Sequence, residues 1–137
     1  MIVINPIMGG KALKMVTGTI PGSALEITSG AEKVYDLTVL GISRVDFFFI
    51  TSVPAWSGRY GQADCCMGYL ARGSSPVVLF SSEYSYSQFH AYFTSFSPIH
   101  FKSDNVVELI NSSNSKSPFR PLSGNAENPY TWYAFGE

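Results

Sequence analysis

Hydrophobic and polar positions alternate along many short segments of this chain, which is the pattern of β-strands. In one segment the apolar residues are Tyr35, Leu37 and Val39. The residues between them, Asp36 and Thr38, are polar, so this strand is expected to be half-buried, with one face in water. No segment of useful length has the three-to-four residue apolar period of an amphipathic helix.

The most apolar run in the chain begins at Val45 and contains three consecutive phenylalanines. Its apolar side chains fall at both parities, with Val45, Phe47 and Phe49 predicted on one face and Phe48 and Ile50 on the other. A strand with one face in water would alternate apolar and polar residues. We therefore expect this strand to be covered on both sides, either centrally in a sandwich or in an oligomer.

Further β-prone segments follow one another at a spacing of roughly 8–12 residues, with turn signals such as Pro21-Gly22 between them. The predicted segments are 11–20, 24–28, 66–71, 77–80, 88–96, 99–101, 106–110 and 130–135. Trp132 alternates with polar Thr131 and is expected in the core. This pattern predicts an all-β fold, a single antiparallel β-sandwich of the jelly-roll kind with long loops.

The chain is predicted to consist of an N-terminal arm, residues 1–10, and a β-sandwich domain, residues 11–137. The arm is apolar and is expected either to form a short edge strand or to dock on a neighbouring molecule. A length of 137 residues suits one domain with a substantial core.

The charge balance narrows the classes of partner. Only 14% of the residues are charged, below the usual quarter, and the formal net charge is -1. A chain with this balance does not attract a polyanion, so nucleic acid binding is not expected. No apolar run approaches the roughly 20 residues of a membrane span, so membrane insertion is not expected either. The start of the chain lacks a signal-peptide pattern, and the adjacent Cys65 and Cys66 form no disulfide framework, which indicates a reducing compartment.

Catalytic constellations are sparse in the sequence. The only histidines are His90 and His100, and their spacing to Asp104 and Glu108 matches no familiar zinc pattern. The sequence has no Gly-x-Ser-x-Gly elbow and no evident carboxylate pair. We therefore predict that the protein is not an enzyme and holds no metal or cofactor. A small hydrolase is a third hypothesis, which requires a histidine beside a nucleophile or paired acids.

The predicted binding residues lie in a long loop, residues 53–64, and in a polar segment with interleaved tyrosines. Flat rings for stacking, next to forked and amide hydrogen-bond donors, are typical of sites that bind sugars or proteins. The alternative is that the tryptophan of the loop folds back and caps the sandwich. The predicted binding residues are Trp56, Arg59, Tyr60, Gln62, Tyr84 and Tyr86.

Three separated motifs together resemble a known family. They are Thr17-Gly18-Thr19-Ile20, then Leu40-Gly41-Ile42-Ser43-Arg44 leading into the apolar run, and the terminal segment Tyr130 to Gly136. The chain resembles small β-sandwich modules of bacteriophage and prophage tail, fibre and baseplate proteins, in which a Leu-Gly-Phe-x-Pro turn precedes a strand and an aromatic-Ala-x-Gly strand ends the module. It departs from them at Ser43-Arg44, where those modules often carry proline.

The resemblance implies a non-enzymatic virion structural protein of the tail, fibre, baseplate or head decoration. Such a protein is assembled in the bacterial cytoplasm and located in the virion. Its expected partners are further copies of itself, as a trimer if it belongs to a fibre, other virion proteins, and a glycan or protein of the host surface. The alternative hypothesis, from the aromatic loop residues, is a free-standing carbohydrate-binding module.

Overall fold

The computed structural model describes residues 2–4, 12–25, 32–52, 55–57, 62–64, 66–81, 89–93, 98–112 and 129–137. Within these ranges the chain forms strands and one short 3₁₀ turn. The strands are β1 (Ile2–Ile4), β2 (Leu13–Ile20), β3 (Glu32–Thr38), β4 (Val45–Ser52), β5 (Ala55–Ser57), β6 (Gln62–Asp64), β7 (Cys66–Ala71), β8 (Val77–Ser81), β9 (Phe89–Phe93), β10 (Ile99–Phe101), β11 (Val106–Ser112) and β12 (Tyr130–Gly136).

The strands form two principal antiparallel sheets. The large sheet has seven strands in the order β1-β2-β12-β4-β7-β8-β9, and the small sheet has three in the order β10-β11-β3. Strands β5 and β6 pair as a separate hairpin. The predicted fold class, an all-β antiparallel sandwich, is confirmed. Among the described residues, no helix is long and apolar enough to cross a membrane.

The core lies where the inner faces of the two sheets meet. Phe48 and Ile50 on β4 are fully buried, as are Val107 and Leu109 on β11. Trp132 of β12 is buried as predicted and stacks on Phe48 with ring centroids 6.1 Å apart. These side chains belong to one hydrophobic cluster, to which both sheets contribute.

The ring of Trp132 lies over the neighbouring strand β2, at a glycine that no larger residue could replace without a clash. Gly18 is directly opposite Trp132 in the pairing of β2 with β12. A Cβ atom at Gly18 would lie 2.6 Å from the Cζ2 atom of Trp132. The adjacent Thr17 donates a hydrogen bond from Oγ1 to the carbonyl of Trp132 at 2.8 Å. Strand β2 therefore contacts both the backbone carbonyl and the indole ring of Trp132.

A β-bulge at the start of β4 changes the faces assigned from the sequence. Phe47 lies opposite Phe135, but Val45 lies opposite Gly136, so Asp46 is an extra residue in β4. Val45 is fully buried in the core, and its predicted placement on the face of Phe47 was wrong. A Cβ atom at Gly136 would overlap the carbonyl oxygen of Arg44, which explains the glycine at this position.

Two further segments differ from the prediction. Ala24, expected in a strand over 24–28, lies in a 3₁₀ turn over Gly22–Leu25, because its N–H donates to the carbonyl of Pro21 at 2.9 Å. The buried amide of Asn111 donates to the carbonyl of Leu25 and fixes the end of this turn. Residues 26–28 lie outside the described residues.

The expected loop over 53–64 contains the β5–β6 hairpin, because Ala55–Ser57 pairs with Gln62–Asp64. The first strand, β1, is the edge strand of the large sheet and pairs with β2. This is the edge-strand alternative for the N-terminal arm. The division of the chain into an arm and a domain stays a prediction.

Candidate interaction surface

The outer face of the large sheet, which points away from the small sheet, carries a continuous apolar row. Residues that face each other on neighbouring strands share one face of a sheet. One row crosses five strands through Ile2, Met15, Phe135, Phe47 and Ala71, each opposite the next. We call the outward positions of β1, β2, β12, β4 and β7 the aromatic face.

A second row of the aromatic face lies beside the first. Thr17, Tyr133, Phe49 and Tyr69 are opposite one another on β2, β12, β4 and β7. Within the second row the Phe49 and Tyr133 rings are 6.0 Å apart at 39°. Phe47 joins the two rows, because its ring lies 5.7 Å from that of Tyr69.

The aromatic face is partly open to solvent. Ile2 is 53% exposed and Tyr69 is 36% exposed, whereas Phe48 on the inner side of β4 is 0% exposed. Phe47 and Phe49 are half-buried. Within one copy of the chain, the expected cover on both sides of β4 is thus complete on the inner side only. Cover of the outer side in an oligomer stays a prediction.

At the paired outward positions of the aromatic face no described side chain is ionised, and the acid of β4, Asp46, lies at the bulge with its carboxylate 2.8 Å from Nε of Arg44. Beyond the aromatic rows the face continues into Thr19, Thr131 and Thr51, which lie opposite one another. Lys14, the one described lysine on β2, points to the opposite face, since its neighbour Met15 points outward. Neutral threonine and tyrosine hydroxyls are therefore the polar groups that this face presents.

The outer face of the small sheet has the opposite character. His100, Glu108 and Asp36 lie opposite one another on β10, β11 and β3. Nζ of Lys102 lies 2.6 Å from Oδ2 of Asp36 and 3.9 Å from Oε2 of Glu108. The hydrogen bond from Lys102 to Asp36, together with the negative charge of that carboxylate, raises the pKa of Lys102 above its ordinary value.

Arg72 fastens the two sheets together at one end of the sandwich. Its Nε donates to the carbonyl of Val45 in the large sheet at 2.8 Å. Its Nη2 donates to the carbonyl of Asp104, in the turn between β10 and β11, at 3.2 Å. Its guanidinium carbon lies 4.4 Å from the ring centroid of Phe101. The carboxylate of Asp46 also lies 3.8 Å from Nε. These contacts occupy the guanidinium with groups of this chain, so its role here is structural.

Beside Arg72 is a cleft of about 380 Å³ between the β7–β8 turn and β10. His100 lines it, and its Nδ1 is 3.7 Å from Oε1 of Glu108, which is beyond hydrogen-bond distance. The hydroxyl of Ser74 donates to the carbonyl of Ala71 at 2.9 Å. No described contact joins a nucleophile to His100. Among the described residues, no three histidine, cysteine, aspartate or glutamate side chains form a metal-binding group.

The binding residues predicted from the sequence are only partly located. Trp56 lies opposite Ala63, and Gln62 opposite Ser57, in the β5–β6 hairpin. Arg59, Tyr60, Tyr84 and Tyr86 lie outside the described residues. His90 lies opposite Phe80 where β9 pairs with β8. The predicted sugar- or protein-binding set therefore stays a prediction.

The aromatic face was not identified as a candidate site from the sequence. Its signal was present as alternate aromatic residues in two distant segments, Phe47 and Phe49 in one and Tyr133 and Phe135 in the other. Nothing in the sequence states that β4 and β12 are neighbours, and the rows exist only because they pair. Comparisons of the chain with protein-family models, with curated proteins and with solved structures give no match.

Proposed function

We propose that this protein is a non-enzymatic structural subunit of a bacteriophage or prophage particle, which associates with other subunits through its aromatic face. The observation that carries the proposal is the pair of apolar and aromatic rows on the outer side of the large sheet, which are partly exposed and carry no charge at their described positions. The motifs that resemble phage tail, fibre and baseplate modules are the reason for proposing a phage particle as the assembly.

The physical reason is the free energy of exposed apolar surface. Each square ångström of apolar surface removed from water contributes about 25 cal/mol. An exposed patch of several hundred square ångströms on one side of a protein is typical of an interaction site. Interfaces of permanent assemblies are more hydrophobic than other surfaces and resemble a domain core cut in half. The low proportion of charged residues, 14%, agrees with a subunit that buries much of its surface.

The proposal is tested on phage particles released by the bacterium that encodes the chain. Antibodies against the purified protein, coupled to gold, are expected to label one part of the particle in electron micrographs. The matched control is the same antibody pre-absorbed with the purified protein. Unlabelled particles, from a preparation in which the protein is detected only in the unassembled fraction, would overturn the proposal.

A carbohydrate-binding module is the second candidate function. It is favoured by the tyrosine rings of the aromatic face and by the ring-rich sequence around Trp56. A glycan array probed with the wild-type protein, Tyr69→Ala and Trp56→Ala separates the two surfaces. Specific binding that either substitution abolishes, while the variant stays folded, would establish this function. Absence of binding on the array would reject it.

A further inference from the structure

We propose that the free edge of β3 binds an extended segment of another polypeptide, which joins the small sheet as a fourth strand. Its side chains are basic on the outward side and apolar on the inward side. In strand addition of this kind, backbone hydrogen bonds provide affinity and alternate side chains provide specificity. The edge of β3 is separate from the aromatic face, so this inference does not rest on the proposed function.

Strand β3 is the longest edge strand that the structure describes. It has seven residues, whereas the other edge strands have five in β9 and three in β1 and β10. At about 3.3 Å per residue it is about 23 Å long. Its exposed residues are Glu32, Lys33, Val34, Asp36 and Thr38. A long exposed edge of this kind is a template for pairing with another chain.

The backbone groups of β3 alternate between β11 and the free edge. Successive residues of an antiparallel strand direct their hydrogen-bonding groups to opposite sides. Just after β3, Val39 donates its N–H to the carbonyl of Asn105 at 2.8 Å, so the odd-numbered residues of β3 bond to β11. The other side of β11 agrees, because Ile110 donates to the carbonyl of Pro98 at 2.9 Å. The N–H and C=O of the even-numbered residues of β3, Val34 among them, therefore point to the free edge.

The outward side chains of this edge are acidic. Glu32 and Asp36 point outward on either side of Val34, whereas Lys33 points to the inner side. Lys102 contacts Asp36, and Glu32 is exposed. Opposite charges that face each other on neighbouring strands are stabilising, and like charges are destabilising. A segment with basic outward side chains therefore fits this edge.

The same acids disfavour a second copy of this chain as the added strand. If two β3 strands paired antiparallel through their free edges, Glu32 and Asp36 of both copies would lie on one face of the joined sheet. The two Lys102 side chains, one from each copy, would balance only half of these four carboxylates. Repulsion between neighbouring acids would weaken the contact.

The inner side of the large sheet continues beyond β3 and specifies the inward side chains. Strand β10 contacts β7, and β3 contacts the 3₁₀ turn that follows β2, so β3 lies towards the β1–β2 side of the large sheet. Val3 of β1 points to the inner side, because its neighbour Ile2 points outward, yet Val3 is 48% exposed. Val16, on the inner side of β2, is only partly buried. A strand about 4.8 Å beyond β3 would extend over this side, so its inward residues are apolar.

The binding experiment uses two synthetic peptides of eight residues with blocked ends. One alternates lysine with valine, and the matched control peptide alternates glutamate with valine. We expect the Lys–Val peptide to bind the wild-type protein with a dissociation constant at least about tenfold lower than that of the Glu–Val peptide. Hydrogen exchange followed by NMR locates the contact, because the amides of Val34 and Asp36 should exchange at least about tenfold more slowly with the Lys–Val peptide bound.

Two variants test the backbone and the charge separately. Val34→Pro removes an N–H that points to the free edge but none that bonds to β11, and it should raise the dissociation constant of the Lys–Val peptide at least about tenfold. Val34→Thr keeps the N–H and is the matched control, with affinity close to wild type. Glu32→Lys should shift the preference towards the Glu–Val peptide. Circular dichroism verifies that each variant is folded, and Glu32→Lys decides the test if Val34→Pro does not fold.

Several results would overturn the inference. They are equal affinity for the two peptides, no binding of the Lys–Val peptide at millimolar concentration, and slowed exchange at residues other than those of β3. An affinity that neither Val34→Pro nor Glu32→Lys changes would overturn it as well. If the amides of Val34 and Asp36 exchanged more slowly at higher protein concentration without peptide, the added strand would be a second copy and the basic partner would be wrong. None of these results bears on the labelling of phage particles.

Discussion

The two outward faces of the sandwich belong to the same fold but differ in charge and in aromatic content. The outer face of the large sheet has two rows of apolar and aromatic side chains, and the described positions of these rows carry no charge. The outer face of the small sheet has Asp36, Glu108 and His100 in one row, with Lys102 beside them. The small sheet thus presents charged groups to solvent, and the large sheet presents apolar and aromatic groups.

The outward apolar side chains of β4 are not part of the core between the two sheets. Phe48 and Phe49 are consecutive residues of one strand, yet Phe48 is completely buried between the sheets and Phe49 is only half-buried. If the outer side existed for stability of the single chain, it would need a layer of structure over it. The small sheet covers only the inner side of β4.

Replacing each of these phenylalanines by alanine gives the largest expected effect. Phe48→Ala should lower the free energy of unfolding by about 3–5 kcal/mol, because it removes a fully buried ring and leaves a cavity. Phe49→Ala should lower it by less than half as much. Urea unfolding of each variant beside the wild type measures both losses. Equal losses would show that the aromatic face is already covered within one chain.

A substitution at Gly136, which lies opposite the bulge of β4, gives an expected effect of intermediate size. Gly136→Ala should lower the free energy of unfolding by about 1–3 kcal/mol, because the new methyl group meets the backbone of Arg44 rather than a movable side chain. Thermal and urea unfolding measure the change. The control is Gly73→Ala, where φ is +85° but no atom lies within 4 Å of the added Cβ, so only backbone strain is tested. A smaller loss at Gly136 than at Gly73 would contradict the steric role of the bulge.

A substitution on the outer face of the small sheet gives the smallest expected effect. Lys102→Met removes the contact with Asp36, but exposed ion pairs contribute little to stability, so the melting temperature should fall less than in either preceding case. The raised pKa of Lys102 fixes the sign of the pH dependence. Its contribution is complete below the ordinary lysine pKa and is lost as the pH rises through the raised value. Melting curves of wild type and Lys102→Met should therefore converge at alkaline pH, and a gap that persists there would contradict the assignment.

The sequence was sufficient for the fold class because β-strand patterns are local. The alternation of Leu37 and Val39 with polar neighbours corresponds to buried and exposed positions of β3 and the residue after it, and β7 and β10 begin and end where they were predicted. The position of Val45 was not predictable in the same way. Its face depends on the extra residue Asp46, and a bulge is visible only in the pairing of two strands.

The aromatic face could not be predicted from the sequence for a similar reason. Alternate aromatic residues in one strand do not distinguish a core face from an outer face, because both are apolar. The difference comes from which side of the large sheet the three strands of the small sheet cover. The clamp formed by Arg72 was also missed, since its partners, the carbonyls of Val45 and Asp104, are remote in sequence and carry no side-chain signal.

The contact between Trp132 and Gly18 gives a meaning to two motifs that are more than a hundred positions apart in the chain. Gly18, which lies between two threonines, leaves the space that the ring of Trp132 fills. A substitution at either position therefore requires a change at the other. Natural variants of this chain should change them together, with a bulkier residue at position 18 accompanied by a smaller one at position 132. The two motifs therefore record how β2 and β12 fit together.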